Sequence, residues 1–157
     1  MPRHRSLPRT TAGLTLLLTS AFMVSDVRAS APPGRYSVGS GTLAGTVLDN
    51  ETGLRWFRGM STGNFSTATT FCATLTQSGF DDWRLPSMKE LQTLVAESRH
   101  TPAIDLAAFP STPSTFFWSS SPDAAQPGQS AWIVDFLTGY LLVLSQGQGA
   151  AARCVRP

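Results

Sequence analysis

The two cysteines of the chain, Cys72 and Cys154, constrain its fold more than any other feature of the sequence. A bond between them closes a loop that contains more than half of the chain. In an oxidising compartment two such cysteines are expected to form a disulfide. For a loop of this length the chain-entropy model assigns about 4.5 kcal/mol of stabilisation. Free thiols are the alternative, and the intact mass before and after reduction distinguishes the two states.

The N-terminal segment 1–29 has the three parts of a secretion signal. A basic start precedes an apolar run over 12–24, and the small-residue cleavage site Val27-Arg28-Ala29 follows it. This run is shorter than the roughly 20 residues of a membrane-spanning helix, so we expect cleavage near Ala29 rather than a membrane anchor. We therefore expect an extracytoplasmic protein, either periplasmic or secreted.

Removal of this leader changes the charge of the chain. The segment 30–157 carries eight Lys and Arg and nine Asp and Glu, a net charge of −1. The whole-sequence pI of about 8.8 therefore reflects the leader, and we expect no nucleic-acid partner. Residues 30–42 are rich in Pro, Gly and Ser and predict a flexible lead-in, whereas residues 43–157 predict a single domain.

Local patterns in the first half of the domain predict a hairpin and a helix. The hairpin joins strands at 46–49 and 54–57 through the polar turn 50–53. Helical spacing then relates the apolar residues Phe65, Ala68, Phe71, Cys72 and Leu75. Asn64 or Ser66 is the expected N-cap of this helix, and Gly79 its expected end. Cys72 is thus predicted on the inner side of the first helix.

A second helix is predicted from a capping signal. Ser87-Met88-Lys89-Glu90 is a capping box, with Leu91, Leu94 and Val95 as the apolar stripe behind it. A short strand at 83–85 precedes this helix. Strands at 116–120 and 152–156 and a hairpin of 131–136 with 140–144 follow a proline-containing loop. The prediction is an α+β domain in which the disulfide joins the first helix to the last strand.

Six segments, taken in this order along the chain, resemble one bacterial extracytoplasmic family. They are 49–56, the Phe71-Cys72 helix, 82–91, 102–105, 118–120 and 153–156. This family is that of the domain at the C-terminus of the Legionella collagen-like adhesin. The resemblance implies a C-type-lectin-like fold, with two helices packed on small antiparallel sheets and a disulfide from the first helix to the last strand. It also implies adhesion-type binding rather than catalysis, with a polysaccharide, sulfated in the case of that adhesin, as the ligand.

Two departures limit what the resemblance carries over. The chain has no Gly-X-Y repeat of the kind that forms a collagen-like stalk. It also lacks the Glu-Pro-Asn and Trp-Asn-Asp signatures of calcium-dependent lectins. We therefore expect binding without calcium, and neither a metal site nor a cofactor.

Aromatic residues are the candidate contacts for a sugar, because a pyranose stacks on an aromatic ring. We assign Trp56 and Trp83 to the core, whereas Trp118 and Trp132 can belong either to the core or to a loop rim. The predicted contact residues are Trp118, Ser119, Trp132, Asp135 and Tyr140, with Arg84 in reserve. Asp82 and Arg84 can instead cap a turn and form an ion pair. For a charge-driven contact the candidates are Arg55, Arg58, Arg84, Arg153 and Arg156.

The sequence also leaves other functions open. A module that binds a cell-surface protein is the main alternative, because an aromatic rim serves such a partner equally well. For an enzyme, His100 is the one histidine after the leader and no nucleophile motif accompanies it, although paired carboxylates remain open. Formylglycine-generating enzymes share the lectin-like fold, but their reactive cysteines would here be engaged in a bridge. We therefore expect a binding module and not an enzyme.

Overall fold

The structure is a computed structural model that describes residues 31–96, 99 and 101–157. The predicted leader and its cleavage site, and also His100, lie outside the described residues. Within the described ranges, nine strands and two α-helices occur in the order β1 (Tyr36–Val38), β2 (Thr46–Asp49), β3 (Arg55–Phe57), β4 (Ser61–Gly63), α1 (Phe65–Thr74), α2 (Met88–Gln92), β5 (Phe116–Pro122), β6 (Ser130–Asp135), β7 (Leu141–Ser145), β8 (Ala150–Ala152) and β9 (Val155–Arg156). The α+β class that the sequence predicts is confirmed.

The first sheet has four antiparallel strands in the order β1-β2-β3-β9. The predicted hairpin is confirmed as β2 and β3, and Gly53 in its turn has φ +74. Strand β1 lies within residues 30–42, for which the composition predicts a flexible lead-in, so part of this segment has regular structure. Tyr36 packs edge-on against Phe109 with 5.3 Å between the ring centres, and this long-range contact explains why local composition missed the strand.

The second sheet has five strands in the order β4-β8-β5-β6-β7. Strands β5 and β8 are parallel, and the other neighbours are antiparallel. The predicted hairpin near the C-terminus is confirmed as β6 and β7. The strand predicted at 152–156 is instead divided, because β8 belongs to this sheet and β9 to the first. Arg153 and Cys154 lie at the crossing between the two sheets, and both are fully buried.

The two helices begin where the sequence predicts. The Asn64 side chain caps α1 by accepting a hydrogen bond from the Thr67 N–H at 2.9 Å. This helix ends at Thr74, before the expected stop at Gly79, since Leu75 is already extended with ψ 125. The capping box at the start of α2 is present, but α2 has only five residues. Of the strand predicted at 83–85, a single bridge between Arg84 and Val155 remains.

The disulfide between Cys72 and Cys154 is formed, with 5.4 Å between the Cα atoms. It joins α1 to the segment between β8 and β9, which confirms the predicted link from the first helix to the last strands. Both cysteines lie in a buried cluster with Trp83, Leu85 and Trp118. Trp56 lies in a second cluster, so the assignment of Trp56 and Trp83 to the core is confirmed.

Arg153 is a buried cation whose hydrogen bonds go to neutral oxygens. Its Nη1 donates to the carbonyl oxygens of Phe57 and Arg58 at 3.0 and 2.6 Å, and its Nη2 donates to Thr112 Oγ1 at 2.8 Å. The guanidinium also lies 4.9 Å from the centre of the Phe109 ring. Burial lowers the pKa of Arg153 to about 10, which leaves it charged at neutral pH. Because it is fully buried, it is wrong as a candidate for a charge-driven surface contact.

Candidate functional site

Trp118 and Ser119, two of the predicted contact residues, are fully buried. Trp118 Nε1 donates to the Gly63 carbonyl at 3.0 Å, and its ring meets Phe65 edge-on at 5.6 Å. Ser119 Oγ donates to the Trp132 carbonyl at 2.7 Å. These contacts tie neighbouring strands and α1 together. The expectation that the two side chains face a ligand is corrected, because strand β5 lies in the middle of its sheet.

Asp135 builds a turn and does not face solvent. It is 6 % exposed, and its carboxylate accepts hydrogen bonds from the Leu137 N–H at 2.9 Å and from Thr138 Oγ1 at 2.8 Å. The backbone N–H of Gly139 also donates to the Asp135 carbonyl at 2.7 Å. The predicted role of Asp135 as a direct ligand contact is therefore corrected: its side chain holds the turn that joins β6 to β7.

Arg84 is exposed, but its charge is already engaged. Its two Nη atoms donate to the two carboxylate oxygens of Glu90 at 2.8 and 2.6 Å. Glu90 also accepts from the Ser87 N–H at 2.8 Å as part of the capping box. The hydrogen bond from Arg84 lowers the pKa of Glu90 to about 2. Arg84 thus forms an ion pair, which was the alternative to a ligand contact, and the pair stabilises the start of α2.

The two remaining contact candidates lie on the β6–β7 hairpin, Trp132 within strand β6 and Tyr140 at the turn before β7. Trp132 is half-buried and lies opposite Val143 in the ladder. Tyr140 is 71 % exposed and is the most exposed large hydrophobic side chain among the described residues. It lines a groove of about 370 Å³, together with Gln92, Val95, Ala96, Arg99, Ala103, Thr138 and Gly139. We call this the Tyr140 groove.

Three chain segments hold the Tyr140 groove in place. The turn 136–140 forms one side, and the residues after α2 form the other. Between them the Ala103 N–H donates to the Phe136 carbonyl at 2.7 Å, and the Ala96 N–H donates to the Ala103 carbonyl at 3.0 Å. Gly139 allows the close approach, since it has φ +84 and a Cβ built there would lie 2.9 Å from Val95 Cγ1. The groove therefore depends on backbone contacts between distant segments.

The lining of the groove combines one exposed aromatic ring with three kinds of polar group. Gln92 carries an amide, Arg99 a guanidinium and Thr138 a hydroxyl. The Thr138 hydroxyl donates its proton to Asp135, and its oxygen accepts from the Tyr140 N–H at 3.4 Å and has a second lone pair for another donor. This set can take up hydroxyl groups, and Arg99 adds a positive charge to the lining. The sequence does not single out Gln92 and Arg99, because no motif relates them to a hairpin that lies much further along the chain.

A second cluster of charged and aromatic side chains lies at the edge of the first sheet. The Arg156 guanidinium is 3.9 Å from the centre of the Phe80 ring, and that of Arg55 is 6.0 Å from it. Arg156 also donates to both carboxylate oxygens of Asp82, and this hydrogen bonding lowers the pKa of Asp82. Asp82 balances Arg156, whereas Arg55 donates to the neutral Thr46 Oγ1, so Arg55, Arg156 and Asp82 together carry a net charge of +1.

Two absences concern the described part of the chain alone. Within it, no group of three or more His, Cys, Asp or Glu side chains is placed to hold a metal ion. None of its helices is long and apolar enough to span a membrane.

The sequence matches the model of the Lcl C-terminal domain family over residues 45–156, which covers both sheets except β1. No curated protein matches the sequence. The matched region includes the disulfide, both helices and the whole Tyr140 groove. The chain therefore belongs to the Lcl C-terminal domain family, a family of adhesin-associated, extracytoplasmic modules.

Proposed function

We propose that this domain binds a polysaccharide or another surface polymer through the Tyr140 groove, without calcium. The observation that carries the proposal is the 71 % exposure of Tyr140 beside the polar side chains Gln92, Arg99 and Thr138. An aromatic ring that stays exposed leaves hydrophobic area in contact with water, and the flat face of a pyranose can cover it. Membership of an adhesin-associated family supports a ligand on a surface.

The size and lining of the groove support a segment of a chain-like ligand. A volume of about 370 Å³ lies at the small end of the range of ligand sites, roughly 300–1,000 Å³. Val95, Ala96 and Ala103 supply apolar wall, whereas Gln92 and Thr138 supply groups that hydrogen-bond to sugar hydroxyls. Arg99 adds a cation that favours a polymer bearing sulfate or carboxylate groups. Binding then uses direct hydrogen bonds and needs no metal.

The test is binding of the disulfide-bonded protein to an array of neutral and sulfated polysaccharides at two salt concentrations. Tyr140→Ala removes the stacking surface and is expected to weaken binding about tenfold or more. Leu106→Ala is the matched control, since Leu106 is a 40 % exposed apolar residue outside the groove. Unchanged binding by Tyr140→Ala would contradict the proposal.

Salt and a second variant separate the two contributions to binding. Arg99→Gln is expected to weaken binding to sulfated polymers more than to neutral ones, because it removes a cation and keeps an amide. Binding that disappears in high salt and is unaffected by Tyr140→Ala would point instead to the cluster around Phe80.

A second candidate function is docking on a cell-surface protein. One observation favours it, the exposed apolar residues Leu137, Tyr140, Leu142 and Val143 on one hairpin. Two results together would favour this second function. The folded, disulfide-bonded protein would bind no polysaccharide on the array, and an envelope protein would co-purify with it but not with the Tyr140→Ala variant.

A further inference from the structure

Strand β7 is a sheet edge without the features that normally protect one. The segment 136–152, which contains β7, includes no charged residue and no proline. Exposed edges in natural proteins are usually short, carry Lys or Pro, or are covered by other elements, because unpaired strands associate. Strand β7 has five residues, and within the described part of the chain its only strand neighbour is β6.

The other three edges of the two described sheets have such protection. Strand β4 has three residues and packs against α1. Strand β1 also has three residues and follows Arg35, which pairs with Asp49. Strand β9 has two residues and ends at Arg156, which pairs with Asp82. The open edge is therefore specific to β7.

The ladder between β6 and β7 shows which backbone groups face outward. The Asp135 N–H donates to the Tyr140 carbonyl, and the Gln146 N–H donates to the Gln129 carbonyl. In an antiparallel pair, residues that direct their N–H and C=O groups toward the partner alternate with residues that direct them away. Leu142 and Leu144 therefore bond to β6. The backbone groups of Leu141, Val143 and Ser145 point to the open edge, where the Ser145 carbonyl already accepts one hydrogen bond, from the Gln148 N–H at 2.9 Å.

The side chains of this edge are apolar on both faces of the sheet. Val143 is 41 % exposed and shares a face with Trp132, its cross-strand partner. Leu142 is 43 % exposed and lies on the opposite face, across from Ile133. A strand added to this edge would thus cover apolar surface on both faces and would also satisfy the outward backbone groups.

We propose that β7 pairs with β7 of a second copy of this chain, antiparallel and centred on Val143. Under this two-fold symmetry Val143 lies opposite Val143, and Leu141 lies opposite Ser145 of the second copy. Every outward N–H then faces an outward carbonyl, since these three residues are the ones that point away from β6. Two copies of an uncharged strand pair without electrostatic repulsion. A charged peptide is a less suitable partner for β7, because residues 136–152 contain no opposite charge to pair with it. The two five-stranded sheets become one sheet of ten strands.

The pairing also relates the two Tyr140 grooves, a consequence that rests on the proposed function. A two-fold axis perpendicular to the sheet keeps equivalent faces on the same side. Along the paired strands the two Tyr140 residues lie six positions apart, which corresponds to about 20 Å. Two grooves at this spacing could engage one polymer chain together, and such bivalence increases avidity.

The test of the pairing uses no polysaccharide, so it is independent of the proposed function. The mass of the disulfide-bonded protein is measured by sedimentation over a wide concentration range. We expect it to rise from the mass of one chain to that of two. Val143→Lys places two cations opposite each other and is expected to abolish the rise. Val38→Lys is the control, because Val38 is 48 % exposed on the edge strand of the other sheet and should leave the rise unchanged.

Cross-linking keeps the proposal testable if Val143→Lys fails to fold. Residues that are opposite in a hydrogen-bonded pair have Cα atoms about 5.5 Å apart, which suits a disulfide. Val143→Cys is therefore expected to form a covalent dimer on oxidation, whereas Val38→Cys is not. A single-chain mass at every concentration, an assembly that Val143→Lys leaves intact, or the absence of the Val143→Cys cross-link would overturn the proposal.

Discussion

Reduction of the Cys72–Cys154 disulfide is expected to remove about 4.5 kcal/mol from the free energy of unfolding. The figure follows from the sequence separation of 82 between the two cysteines and the chain-entropy relation at about 25 °C. Domains of this size have total stabilities of about 5–15 kcal/mol, so the reduced protein is expected to be marginally stable at physiological temperature. Reduction leaves both side chains in place and thus avoids most of the cavity that Cys→Ala variants would create.

The location of the bond predicts which part of the fold is lost first. Helix α1 has ten residues and buries only Ala68 and Cys72. A helix of this length is unstable by itself in water, and its stability comes from the elements that it packs against. On reduction we therefore expect the amides of α1 to lose protection from hydrogen exchange before those of β6, because β6 is hydrogen-bonded between β5 and β7.

The assay is urea denaturation of the oxidised and the reduced protein, followed by the fluorescence of the four tryptophans. The reduced protein should unfold at a lower midpoint and with a larger slope, because its unfolded chain is less compact. A stability difference below about 1 kcal/mol, with equal slopes and unchanged protection of α1, would refute the argument from loop entropy.

Three further predictions concern stability. Arg153→Lys is expected to cost about 2–4 kcal/mol in urea denaturation, because a single ammonium group cannot replace the guanidinium that bonds to several oxygens. Ionised Glu90, whose pKa is lowered by its pair with the half-exposed Arg84, stabilises the fold at neutral pH by about 1 kcal/mol. This contribution is expected to be lost as the pH falls from about 4.5 toward 2. Glu90→Gln should therefore remove that pH dependence of the melting temperature. Gly139→Ala is expected to cost about 1–3 kcal/mol and to distort the Tyr140 groove, since the residue has positive φ and a Cβ would meet Val95; unchanged melting and binding would contradict this.

Signals that involve only neighbouring residues predicted their elements well. The capping box at Ser87 and Glu90, the Asn64 cap and the two hairpins appear at their expected places. Each depends on hydrogen bonds or turn geometry within a few residues, so the sequence window contains the whole cause. The extent of the helices was predicted less well, because packing decides where α1 and α2 end.

Features that depend on distant partners were missed. Strand β1 has only three residues and is held by β2 and by the Tyr36–Phe109 contact. The strand predicted at 152–156 was divided between two sheets, since the chain crosses between them at Arg153 and Cys154. Trp118 has the same polar neighbours as a rim residue, and only its central strand shows that it is buried.

The sequence by itself determined the elements of the domain: an α+β chain, one pair of cysteines able to bridge a helix and the last strands, and a hairpin whose second strand begins near Tyr140. The tertiary structure alone decided which of these residues can face a ligand. Gln92 and Arg99 join Tyr140 because backbone hydrogen bonds between 96 and 103 and between 103 and 136 bring the three segments together. Such contacts depend on how the whole core packs, and no local pattern of residues encodes them.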